Sequence, residues 1–217
     1  MTRSIPRNEA RALLVETTLA HLSRLGPAHV HPKEICEELG LSKALVNYHF
    51  GGRDALITEA MLVGYERYVE ELWSAAVSAG DDPVERLFAW VDRQVEWTMD
   101  NPGLAAALNF PDAAAGETLS VSTWVSERIQ SSGEQNFANL QRLVGDAMAH
   151  LHAEKGSAAP SRSTVGLNAA LVGWVTFGMS IWRAGRHLPT RDIDSGKYFD
   201  VAREHVRAKV LEILRGS

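Results

Sequence analysis

The residues with the most varied chemistry stand close together between Ser42 and Arg53. Ser42, Lys43, Asn47, Tyr48, His49 and Arg53 bring a hydroxyl, an ammonium, an amide, a phenol, an imidazole and a guanidinium, with Ala44 and Leu45 among them. An amide or a cation can pair with base edges, and a small apolar side chain can touch a thymine methyl. Hydroxyls, phenols and cations also bind phosphate oxygens. Such a mixture suits a DNA major groove. The plainer alternative is a helical hairpin inside a core, whose outward residues carry no order.

Two short helices and a tight turn must hold these side chains in place. Ile35, Cys36 and Leu39, at i, i+1 and i+4, make one face of a first helix. Gly40 can turn left-handed without steric cost and ends it. Leu41 reads as a buried plug and Ser42 as the N-cap of a second helix. Val46 and Phe50, four apart, then face back onto the first helix, leaving Lys43, Ala44, Leu45, Asn47, Tyr48 and His49 directed elsewhere. His31 and Pro32 read as the N-cap and first position of the first helix. His31 and Lys33, at its start, complete the candidate contact set.

Next comes Gly51-Gly52-Arg53-Asp54-Ala55-Leu56, a glycine pair and then the opening of another helix. Here the sequence resembles the tetracycline-repressor-like (TetR) family of bacterial transcription regulators. Ile35, Gly40-Leu41-Ser42-Lys43, Val46, Tyr48-His49-Phe50, Arg53-Asp54 and Leu56 carry the resemblance, over roughly the first quarter of the chain. Two positions depart from the family pattern. Asn47 stands where an aromatic is often found, and His31-Pro32 replaces a threonine usual near the start of the first motif helix. The resemblance implies a one-component regulator, a repressor, that binds a near-palindromic double-stranded DNA operator as a homodimer. It also implies a small-molecule effector held in the C-terminal body. Within it, Tyr48, His49 and Arg53 would grip phosphate.

Composition fits a soluble globular chain. Of 217 residues, 45% are hydrophobic and 23% charged, and the formal charge of −5 argues against a broadly basic coat. The charge is uneven. Residues 1–55 hold seven basic and six acidic side chains, against 15 and 21 in the rest. Cys36, the lone cysteine, cannot form an intramolecular disulfide, and it reads as a small core filler in a reducing cytoplasm. The first ten residues lack the apolar run of a signal peptide. The longest apolar stretch, Leu167 to Trp182, is 16 residues and falls short of the ~20 a membrane span needs.

The remaining periodicity is helical throughout. A first helix carries Ala12, Val15, Leu19 and Leu22 and ends at Gly26-Pro27. A long helix runs from Arg53 to about Ala76; Asp82-Pro83-Val84-Glu85 and Asn101-Pro102 each open another. A helical region from about Leu119 to Glu154, weakened at Ser131-Ser132-Gly133, precedes a linker at 156–161. Helices at about 163–186 and 194–215 finish the chain. The expected fold is all-α: an N-terminal three-helix helix-turn-helix DNA-binding domain over residues 1–52, then a roughly six-helix ligand-binding and dimerisation domain over 53–217.

Aromatic residues concentrate in the body. Trp97, Phe110, Trp124, Trp174 and Phe177 are the candidates for an apolar pocket, although any one of them can equally be core. Leu171, Gly178 and Trp182 on the penultimate helix, with Ala202, Val206 and Val210 on the last, are candidates for a dimer interface built as a four-helix bundle. Burial of both helices in their own chain is the alternative. Two heads related by a two-fold axis would lie about one helical turn, ~34–36 Å, apart.

Catalytic constellations are not evident. His150 and His152 lie about 200° apart on a helix and cannot share one metal. No serine has a nucleophile-elbow context, and no glycine-rich phosphate loop is present, so neither an enzyme nor a cofactor is expected. The rival reading is a helical ligand-binding or protein-interaction module without sequence-specific DNA binding.

Overall fold

The computed structural model describes residues 7–109, 123–184 and 195–216. Nine α-helices occur among them: α1 (Arg7–Leu25), α2 (Pro32–Leu39), α3 (Ala44–Phe50), α4 (Arg53–Ser78), α5 (Pro83–Asp100), α6 (Pro102–Asn109), α7 (Thr123–Glu154), α8 (Arg162–Ala184) and α9 (Ser195–Arg215). A short 3₁₀ turn, Pro27–His29, joins α1 to α2. No strand is found among the described residues, and no described helix is long and apolar enough to cross a membrane.

Local chemistry explains the boundaries. Asp82 Oδ1 accepts the backbone N–H groups of Val84 (2.8 Å) and Glu85 (3.2 Å), the capping that the Asp-Pro start of α5 promised. Ser161 Oγ does the same for Thr164 N at 3.2 Å where α8 begins. Gly156, at φ +65°, closes α7, and Ser157 N returns to His152 O at 2.9 Å. The weak point expected at Ser131-Ser132-Gly133 is not a break, because α7 runs through it. One glycine costs a helix interior only about 1 kcal/mol, which a long helix absorbs.

The chain forms two compact units. The first comprises residues 1–67 and 100–130, the second 68–99 and 131–217. The division expected at 52/53 therefore falls inside the first unit. The physical reason is α6, which packs on α1 and on the 3₁₀ turn and so belongs with the N-terminal helices. In the second unit α8 packs on α9, and Val172, Ala202, Val206, Val210 and Leu214 are buried.

The seam of α1 with α6 is close enough to exclude side chains. Gly26, at φ +76°, ends α1, and its N–H donates to Leu22 O at 3.0 Å. A Cβ at Gly103 would collide with the backbone of Gly26, Leu22 and Leu25. Gly64 on α4 is tight in a different way, since a Cβ there would meet only the side-chain ends of Leu19 and Leu104. Backbone cannot yield as a leucine methyl can. Gly103→Ala should therefore cost about 3 kcal/mol, the upper end of overpacking losses. Gly64→Ala should cost about 1 kcal/mol or less, because higher helix propensity offsets the crowding. Urea unfolding of both variants checks this order, and equal losses would mean that the seam is not backbone-limited.

Candidate nucleic-acid interface

The turn between α2 and α3 is built from backbone bonds. Gly40 sits at φ +65°, where Leu41 N donates to Cys36 O at 2.8 Å and Gly40 N to Glu37 O at 3.2 Å. These paired bonds satisfy the last carbonyls of α2 and reverse the chain at once. Lys43 takes the N-cap position of α3, one residue later than expected, while Ser42 Oγ accepts Ala44 N at 3.3 Å. Gly51, at φ +81°, closes α3 through its N–H to Asn47 O at 2.9 Å.

Inward residues fix the pose of α3. Ile35, Cys36 and Val46 are buried, as the spacing requires. Burial pushes the Cys36 thiol above its usual pKa, against the opposing pull of the Lys43 charge, which suits a packing role better than a reactive one. Phe50 is half-buried, and the Arg11 guanidinium of α1 lies 5.1 Å from its ring centroid while bonding Glu59 at 2.7 Å. His21 of α1 meets Glu38 of α2 through Nε2 at 2.9 Å. Arg11 is 48 residues from Glu59 in sequence, and His21 is 17 from Glu38. Only the crossing of α1 over the motif gives them partners, and no local spacing reports that crossing.

The outward face is open. Ser42, Lys43, Ala44 and Asn47 are exposed, Tyr48 is 65% exposed, and Leu45 is half-buried. His31 and Lys33 are exposed at the start of α2, where Lys33 lies 3.7 Å from Glu37. His49 is half-buried: its ring meets Tyr48 edge-on at 5.0 Å, and its Nε2 is buried without a hydrogen-bond partner. A phosphate could reach only its Nδ1.

Arg53 departs from the expectation that it grips phosphate. Its Nε donates to Val30 O at 3.0 Å, its Nη2 to Pro27 O at 2.5 Å, and its Nη1 to Asp54 Oδ1 at 3.2 Å. The guanidinium bonds the 27–30 connection, which presents two carbonyls that need donors, while 34% of the side chain stays exposed.

The body residues fall into three groups. Trp97 is buried with its ring centroid 4.4 Å from that of Tyr68, whose hydroxyl donates to the amide oxygen of buried Gln94. Phe177 is half-buried, and Trp174 is 73% exposed, so Trp174 does not line an interior pocket of its own chain. Phe110 lies outside the described residues, as do the side chains of Trp124 and Trp182. On the candidate dimer face, Gly178 is exposed and Leu171 is half-buried; Leu167, 61% exposed and not among the expected residues, lies in line with them and with Trp174 along α8. Ala202, Val206 and Val210 correct the sequence reading. They are buried within their own chain, where α9 packs on α8, and cannot also face a partner. Among the described residues no cluster could hold a metal ion.

No family model matches the chain. It is 27% identical over 132 residues to the HTH-type transcriptional regulator BetI of Stenotrophomonas maltophilia (strain R551-3), a match covering 61% of this chain and 59% of that protein. It is 26% identical over 141 residues to the regulator of the same name from Burkholderia mallei (strain NCTC 10229), covering 63% and 62%. The chain thus spans about three fifths of the length of the curated relatives it matches. Among solved structures, a TetR-like transcriptional regulator from Rhodococcus sp. RHA1 superposes with a TM-score of 0.63 at 15% identity, covering 99% of this chain and all of that one. A TetR/AcrR-family regulator from Thermobifida fusca YX-ER1 gives 0.64 at 12% identity, covering 92% and 97%. With nine described helices and a helix-turn-helix before α4, the chain has the fold of the TetR family of transcriptional regulators.

Proposed function

We propose that the protein is a one-component transcriptional repressor in the cytoplasm, reading a near-palindromic operator as a homodimer and released by a small, largely apolar molecule. Residues 1–52 are the reading segment, and the regulatory segment lies within 53–217. The observation that carries this is the outward face of α3, where Lys43 forms no ion pair and the Asn47 side chain no hydrogen bond among the described residues. Polar groups left unpaired on the open face of a short helix are what a major groove can satisfy.

Roles follow from chemistry. Lys43 donates to guanine or phosphate, Ala44 and Leu45 touch thymine methyls, and Asn47 reads a base edge. Ser42, Tyr48, His31 and Lys33 hold phosphates, and His49 does so through Nδ1. The dimer face is the line Leu167, Leu171, Trp174 and Gly178 on α8, without the buried residues of α9. Trp174 thereby moves from the pocket to the interface. The effector belongs to the second unit, with Trp97 and Phe177 as its described candidates. It lowers operator affinity only by binding the non-reading state more tightly.

Selecting genomic fragments retained by the protein, then sequencing them, tests the reading; the absence of a shared near-palindrome would favour a module that does not read sequence. Against the selected operator, Asn47→Ala should relax preference at one position by about 1–3 kcal/mol. Equal losses on every sequence would remove Asn47 from base reading. Trp174→Glu should weaken self-association at least tenfold in sedimentation equilibrium, because it places a charge in an apolar face. An unchanged dimer would move the interface off α8.

A further inference from the structure

We propose that Arg53 is a positioning residue of the reading segment: its guanidinium sets the backbone between α1 and α2, and it lends no charge to a phosphate. This rests on the DNA-binding reading above, and it deepens that reading by fixing what presents α2 and α3. The guanidinium is a rigid planar fork, and here all three of its nitrogens are engaged. Nε and Nη2 reach Val30 O (3.0 Å) and Pro27 O (2.5 Å), and Nη1 reaches Asp54 Oδ1 (3.2 Å). Two of these acceptors therefore belong to one four-residue connection.

That connection has few other partners available. Gly26, Pro27 and Val30 are buried, so water does not readily serve their carbonyls. The internal bonds of the turn are long, with His29 N to Gly26 O and Val30 N to Pro27 O both at 3.3 Å. Immediately beyond, His31 O begins the α2 ladder by accepting Glu34 N at 3.0 Å and Ile35 N at 3.3 Å. Where Val30 O is held, α2 therefore starts, and the Gly40 turn carries that placement on to α3. Asp54 is the counter-charge. A guanidinium paired with its neighbouring carboxylate presents little field to a passing phosphate.

Lysine could replace a charge but not this fork. The experiment compares Arg53→Ala and Arg53→Lys in the full chain, by hydrogen exchange without DNA and by binding to the selected operator and to a random duplex across a salt series. The active fraction is fixed by stoichiometric titration. Both variants should speed amide exchange at least tenfold at residues 29–31. Both should weaken operator binding at least tenfold with the salt slope unchanged, and leave random-duplex binding within about twofold of wild type. If Arg53→Lys binds like wild type while Arg53→Ala lowers the slope by about one, Arg53 is a phosphate contact and the proposal is overturned. Unchanged exchange at 29–31 in both variants overturns it as well. Should the wild-type chain select no fragment, the DNA-binding reading falls by itself, and the exchange result decides the role of Arg53.

Discussion

The left-handed backbone at Gly40 is the constraint on which the exposed face of α3 depends. With φ at +65°, the chain leaves α2 through two backbone bonds and re-enters a helix at Ala44, four residues after the glycine. The turn has no slack to reorient α3. Burial of Val46 beside a buried Ile35 and Cys36 then leaves a single rotational setting, in which Lys43, Ala44, Asn47 and Tyr48 stay outside. A β-substituted residue at position 40 would pay the left-handed strain that glycine avoids. Side-chain display on one helix is thus set by a dihedral on another.

Much of this was legible in residue types and spacing. Gly40, the Ile35–Cys36 pair and Val46 define the motif by short-range rules, and the Asp82-Pro83 and Asn101-Pro102 starts are chemistry within one helical turn. What escaped was longer in range. Arg53 is charged and opens a helix beside the reading segment, so a phosphate role was the natural expectation. Only the fold brings Pro27 O and Val30 O within its reach, 26 and 23 residues away. Arg11 over Phe50 and His21 against Glu38 have the same origin.

The last two helices show where periodicity stops being informative. Both α8 and α9 carry apolar stripes, and a stripe states that something covers it without stating what. The structure divides them: Ala202, Val206 and Val210 are covered from within, whereas Leu167 and Trp174 are left open. A large indole in solvent is costly enough that the open stripe is the one needing a covering surface. Aromatic count could not make this distinction, since Trp97 and Trp174 differ only in which way their helices roll.

The bare seam between Gly26 and Gly103 bears on how this molecule can be cut and recombined. The compact unit that holds the helix-turn-helix is discontinuous in sequence, drawing α6 from beyond residue 100 to cover α1. A chimera that borrowed only the first 67 residues would strip that cover away and open the covered face of α1 to aggregation. The portable module is the N-terminal stretch together with α6, two pieces that any grafting scheme must move as one.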